Sequence, residues 1–76
     1  MSLDEVILEF MKKLDLKEDE VKVYLTVLGA GRLALGDVSF STGFSVDVCK
    51  SVLDRLVELR FVRRVTGEVE GFVALN

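Results

Sequence analysis

The segment Gly36–Leu59 constrains the fold more than any other part of the sequence. Its hydrophobic spacing predicts a short helix over Asp37–Thr42 and a longer helix over Val46–Leu59. Between them, Gly43 lies where the chain must reverse, at a position where a positive φ favours glycine. Ser45 then suits the N-cap of the second helix, because its hydroxyl can accept a hydrogen bond from a free backbone N–H. The pattern therefore indicates a helix-turn-helix.

Two further helices are predicted before this segment. Leu3–Leu14 places apolar residues at spacings of three and four, with most charged residues on the other side, which predicts an amphipathic helix. Its apolar face either packs on the core or forms a homodimer interface, and both interpretations stay open. A second helix begins with three acidic residues, Glu18–Glu20, which complement the helix dipole. Its wide apolar stripe over Val21–Leu28 is typical of a central helix.

The end of the chain is rich in β-branched and aromatic residues. Phe61–Val65 and Gly71–Leu75 flank a mostly polar stretch that contains Gly67, which predicts a β-hairpin. Arg32–Leu35 is predicted to be a short extended piece that pairs with this hairpin. The predicted fold class is α+β, a small winged helix-turn-helix with about four helices followed by a C-terminal β-hairpin wing. Residues 1–76 are predicted to form a single domain.

The two faces of the long helix differ in chemistry. The predicted inner stripe is apolar and consists of Cys49, Val52, Leu53, Leu56 and Leu59. The predicted outer face carries Val46, Asp47, Lys50, Ser51, Asp54 and Glu58, with Arg55 towards one side. Because Cys49 shares its stripe with aliphatic residues, it is predicted to be a small core residue.

The composition argues against several classes of protein. The chain has 76 residues and one cysteine, so it has no internal disulfide, and a cytoplasmic location is expected. No apolar run approaches the roughly 20 residues that span a bilayer, so membrane insertion is not expected. The chain has no histidine, and we recognise no Ser/Lys pair or converging pair of carboxylates. We therefore expect neither an enzyme nor a bound metal or cofactor.

The charge distribution permits DNA binding without requiring it. Thirteen acidic and ten basic residues give a net charge of −3, whereas DNA-binding domains usually have a basic surplus or face. Residues 1–31 contain seven of the acids and four of the bases. Residues 32–76 contain six of each and are neutral, so the half with the helix-turn-helix is not the acidic one.

Three stretches resemble the N-terminal DNA-binding domain of archaeal TrmB-like transcription regulators. Leu16–Leu28, LKEDEVKVYLTVL, is similar to that family's L-T-x-x-E-A-x-V-Y-x-x-L-L. Ser41–Ser45, STGFS, is similar to x-S-G-V-P, and Val52–Val62, VLDRLVELRFV, is similar to V-L-x-x-L-x-x-K-G-L-V. The resemblance implies a winged-helix fold and DNA binding.

The sequence departs from the family pattern at three places in the proposed DNA-binding half. The early recognition helix, usually basic, reads Val46-Asp47-Val48 here. Arg60 stands where the family has a glycine after that helix, so it must accept a left-handed conformation at a cost of about 1 kcal/mol. The tip of the wing is acidic, with Glu68 and Glu70, where the family tends to be basic.

The resemblance implies that the chain binds double-stranded DNA, with the helix Val46–Leu59 in the major groove. Lys50 and Ser51 are expected to face base edges, and Ser45 to contact phosphate. Further phosphate contacts are expected from the arginines Arg55, Arg60, Arg63, Arg64 and also Arg32. About four such contacts give a log–log salt slope of about −4, so a monomer binds weakly and a dimer is needed.

Two alternatives accompany this hypothesis. Each arginine can instead pair with a nearby acid such as Asp54, Glu58 or Glu68. The domain as a whole can instead be a protein–protein interaction module, an adaptor or subunit of a transcription or membrane-remodelling assembly. Val46, Val48 and Val57 are predicted to be exposed beside Asp47 and Asp54. Such a surface suits a mixed apolar and acidic docking face better than a phosphate backbone.

Overall fold

The structure, a computed structural model, describes residues 5, 6, 9, 12, 13 and 15–75. Three helices precede an antiparallel hairpin: α1 (Glu18–Ala30), α2 (Leu35–Thr42), α3 (Val46–Glu58), β1 (Val62–Val65) and β2 (Gly71–Ala74). This order confirms the α+β winged-helix layout. The prediction of about four helices exceeds the three found in the described part of the chain, because the predicted helix over Leu3–Leu14 lies mostly outside it.

Helix α1 is the central element, as its apolar stripe predicted. It packs against α2, α3 and β2, so apolar side chains are buried on more than one side of it. Val23 and Val27, which the sequence placed at the margin of the stripe, are fully buried. Tyr24 reaches the base of the hairpin, where its hydroxyl donates to the Leu75 carbonyl at 3.2 Å and its ring meets that of Phe61 edge-on.

Hydrogen bonds fix the turn between α2 and α3. Gly43 adopts the predicted positive φ, 79°, and its N–H donates to the Ser39 carbonyl at 2.9 Å. The Ser39 hydroxyl donates to the carbonyl of Phe44 at 2.6 Å, and the Phe44 N–H donates to the hydroxyl of Thr42 at 3.2 Å. Ser45 is the predicted N-cap, since its hydroxyl accepts from the Val48 N–H. The angle between the two helices is therefore set locally.

The inner face of α3 is buried in the hydrophobic core. Cys49, Leu53 and Leu56 are fully buried and Val52 nearly so, which confirms four members of the predicted inner stripe. The prediction for Leu59 was wrong, because this side chain is 44% exposed. Leu59 is the C-cap, after the last helical residue Glu58 and before the left-handed Arg60, so it no longer continues the buried stripe of the helix.

Arg60 ends α3 in the left-handed conformation that the sequence predicted, with φ 66°. Its N–H donates to the Val57 carbonyl at 3.1 Å, and the N–H of Phe61 donates to the Leu56 carbonyl at 2.9 Å. This pair of bonds is a Schellman motif, which satisfies two carbonyls that the helix leaves free. The turn directs the chain into β1.

The wing is the hairpin of β1 and β2, paired from Val62 opposite Ala74 to Val65 opposite Gly71. Leu33 pairs with Phe72 through two hydrogen bonds of 3.1 and 2.7 Å, which confirms that the segment before α2 pairs with the hairpin. Leu35 differs from the prediction, because it already belongs to α2. Since β2 lies between Leu33 and β1, the wing is held to the body of the domain on one side.

Two exposed glycines provide a direct test of the turn geometry. Neither Gly43 nor Gly29 has an atom within 4 Å of the position that a Cβ would take, but only Gly43 has a positive φ. We expect Gly43→Ala to lower the free energy of unfolding by about 1–2 kcal/mol. Gly29→Ala, inside α1, should raise it by about 0.5–1 kcal/mol. Urea denaturation followed by circular dichroism measures both, and equal effects of the two variants would contradict the role given to Gly43.

Candidate nucleic-acid interface

The outer face of α3 is open to solvent. The predicted outer residues are all exposed, and so is Val48, with 41% of its surface exposed. The predicted exposure of Val57 was wrong, because this side chain is half-buried against the core. The exposed residues are Val46, Asp47, Val48, Lys50, Ser51, Asp54, Arg55 and Glu58. Three of these are acidic and two are basic, so the face has a mixed chemistry and is not a basic patch.

Arg55 is anchored to α1 by an ion pair. Its Nε lies 2.5 Å from a carboxylate oxygen of Glu20, whose side chain is only 5% exposed. The other Glu20 oxygen accepts from the Lys17 N–H at 2.8 Å, at the start of α1. Glu20 therefore caps one helix and binds another. The sequence indicated only the first role, since an acid in the first turn complements the dipole whatever its distant partner is.

Arg64 joins the wing to α3. Its guanidinium binds Asp54 of α3 at 2.6 Å and Glu70 of the wing at 3.1 Å, and it lies over the ring of Phe72 at 5.6 Å from the centroid. The alternative in which an arginine pairs with nearby acids is thus realised for Arg64, with Asp54 as foreseen and Glu70 as a partner not foreseen. Strand pairing explains the second partner, since it places Arg64 opposite Phe72, close to Glu70.

Three cations remain available on this side of the domain. The side chains of Lys50, Arg60 and Arg63 are exposed and form no ion pair or hydrogen bond with the residues that the structure describes. Lys50 lines a cleft of about 320 Å³ that also contacts Asp54 and Arg64. Arg60 and Arg63 line a groove between the end of α3 and β1, which Arg64 also borders.

The remaining predicted residues occupy different positions. Ser51 lines a cleft together with Arg55, on the side of α3 that faces the start of α1. Ser45 is exposed, and its hydroxyl oxygen already accepts the capping hydrogen bond at 3.2 Å. The hydroxyl can still donate its proton to a ligand. Arg32 donates to the Val69 carbonyl at 2.7 Å and therefore lies along the wing.

Phe40 is an exposed aromatic residue that the sequence did not assign to the surface. It lies on α2 with 91% of its surface exposed, whereas Val38 of the same helix is fully buried. Residues two positions apart do not share a helix face, so the burial of Val38 implies the exposure of Phe40. With Val46 and Val48 exposed at 48% and 41%, the helix-turn-helix has an apolar as well as a charged surface.

Neither a metal-ligand cluster nor a helix that could cross a membrane is found among the described residues. No group of three or more His, Cys, Asp or Glu side chains within the described ranges is placed to hold a metal ion. None of the helices there is long and apolar enough to cross a bilayer.

Comparison with known proteins identifies the family. No curated protein matches the sequence. The family model described as sugar-specific transcriptional regulator TrmB matches residues 11–76, which include all three helices and both strands. This match confirms the resemblance seen in three sequence stretches, and a family of transcriptional regulators agrees with the expectation that the chain is not an enzyme. The chain belongs to the TrmB family of transcriptional regulators.

Proposed function

We propose that this domain binds double-stranded DNA for a transcriptional regulator, with α3 as the recognition helix in the major groove. The observation that supports the proposal is that one face of α3 is buried in the core while the opposite face is exposed to solvent. The family to which the chain belongs consists of transcriptional regulators. The 13 residues of α3 span about 20 Å, and a major groove about 12 Å wide admits such a helix.

Base contacts come from the first two turns of α3 in this proposal, and Lys50 and Ser51 lie in the second of them. Lys50 and Ser51 carry donors that suit base edges, and neither is held by another described residue. Ser45 and the backbone N–H groups of the first turn of α3 bind a phosphate, which the positive end of the helix dipole favours. Phosphate contacts set the register, and the base contacts carry the sequence information.

The ion pairs reduce the number of arginines that neutralise phosphate. Arg60 and Arg63 contribute a full charge each, whereas Glu20 offsets Arg55, and Asp54 and Glu70 offset Arg64. With Lys50, about three positive charges are available, which corresponds to a log–log salt slope of about −3. The interaction is therefore weaker than the sequence alone suggested.

A homodimer makes such weak contacts useful. Two copies that present their α3 helices about 34 Å apart bind two half-sites of one duplex, so the contacts of both add. The amphipathic helix predicted over Leu3–Leu14 is the proposed dimer interface, and it lies mostly outside the described residues.

A second candidate function is protein docking through the same surface. The exposure of Phe40, Val46 and Val48 favours it, because aromatic and aliphatic side chains are enriched at the centres of protein interfaces. In this case the domain serves as an adaptor or subunit of a larger assembly and does not bind DNA. Binding to DNA at low salt distinguishes the two functions.

We expect the protein to shift a random DNA duplex in a mobility-shift assay at about 50 mM salt, with a log–log salt slope near −3. Lys50→Ala should reduce the slope by about one unit, because one cation is lost from the interface. Lys13→Ala is the matched control. It removes an exposed cation that precedes α1 and lies outside the proposed DNA contact, so it should leave the slope unchanged. No shift at tens of micromolar protein would reject DNA binding and favour protein docking.

Arg63 and Arg55 are expected to differ in the property they control. Arg63→Ala should weaken DNA binding and reduce the salt slope by about one unit, without a loss of stability, because the exposed Arg63 side chain contacts no carboxylate among the described residues. Arg55→Ala should lower the free energy of unfolding by about 1–3 kcal/mol, because it leaves the buried Glu20 carboxylate without its cation.

Urea denaturation and salt titration of binding, performed on both variants, test this assignment. Arg55→Lys is the conservative control and should recover part of the stability. A change of salt slope in Arg55→Ala with unchanged stability would show that Arg55 contacts phosphate instead of positioning α3.

A further inference from the structure

We propose that Asp47 selects cytosine in the DNA site, as a specificity-determining residue beside Lys50. The inference rests on the proposed function, since it requires α3 in the major groove. It assigns a role in recognition to an acidic side chain that also complements the helix dipole in the first turn of α3. The argument follows from which polar groups at the start of α3 are engaged within the domain and which are available.

The structure neutralises one acid of the outer face and leaves another available. Asp54 binds Arg64 at 2.6 Å, so its charge is balanced within the domain. Asp47 is exposed and forms no ion pair or side-chain hydrogen bond with any described residue. The first turn of α3 is also where a recognition helix contacts base edges. A free carboxylate therefore stands at the point of closest approach to the bases.

A carboxylate in the major groove is compatible with only some bases. Guanine presents N7 and O6 and thymine presents O4, all of them acceptors that repel a carboxylate. Adenine presents the N6 donor beside the N7 acceptor, which repels a carboxylate. Cytosine presents the N4 amino donor without an acceptor of its own in the groove, and it is the base whose edge pairs with Asp or Glu. The hydrogen bond with N4 offsets part of the repulsion between Asp47 and nearby phosphates. Asp47 thus favours cytosine and also disfavours guanine and thymine.

Lys50 lies on the same side of α3 as Asp47. Residues three apart are neighbours on a helix surface, with a rise of about 4.5 Å between them. This rise is close to the spacing of about 3.4 Å between successive bases of one strand. The two side chains therefore reach positions within about two base pairs of each other, with Lys50 donating to guanine O6 and N7.

Selection from a library of duplexes with about 20 random base pairs, at about 50 mM salt, tests the proposal. The wild-type chain should enrich a motif with a cytosine and, within two base pairs, a guanine. Asp47→Asn should replace that cytosine by adenine, because asparagine pairs with adenine N6 and N7. In competition assays, exchanging the base at this position should change affinity about fivefold or more.

Glu58→Gln is the matched control, because it removes one exposed negative charge from the same helix, 11 residues away. It should raise affinity for all duplexes slightly and leave the motif unchanged. DNA binding with no base preference, or the same motif for Asp47→Asn as for the wild type, would overturn the role of Asp47 while leaving DNA binding intact. No binding to any duplex would overturn both proposals.

Discussion

The packing of α3 against α1 is the interaction on which the rest of the structure depends. Leu53 and Leu56 of α3 and Val23 and Val27 of α1 are all fully buried, so two of the three described helices share one dry contact. At about 25 cal/mol per Å² of buried apolar surface, such side chains contribute most of the stability of a small domain. With its inner face committed to this contact, α3 can present only its outer face to a partner.

The same ionic groups that hold α3 in place also limit the affinity for DNA that the proposed function requires. Glu20 binds Arg55 on one side of the helix, and Asp54 and Glu70 bind Arg64 on the other. A phosphate that approaches either arginine must compete with a carboxylate already in contact. The domain therefore keeps a defined orientation of α3 and the wing at the expense of free positive charge.

The features that the sequence predicted correctly depend on neighbouring residues, whereas the features it missed depend on contacts between distant parts of the chain. Gly43, Ser45 and Arg60 were predicted correctly because a turn, a cap and a left-handed residue depend on a few neighbouring backbone groups. The partners Glu20 and Glu70 depend on how distant elements meet, which spacing alone does not encode. Of the candidate site, the exposed face was predicted, and the pairing of Arg64 with Asp54 was foreseen as an alternative, whereas the partners Glu20 and Glu70 were not.

With few unpaired cations, a domain that binds DNA would depend more on base contacts than on phosphate contacts. Phosphate contacts supply nearly all non-specific affinity, whereas base contacts discriminate between sites. A domain with few phosphate contacts binds all duplexes weakly, so each base contact, whether favourable or repulsive, changes a larger share of the total free energy. A carboxylate on the recognition helix increases this contrast further, because it penalises the wrong base as well as rewarding the right one. The acidic character of the surface is thus compatible with a selective DNA-binding domain, provided that a second copy supplies the missing affinity.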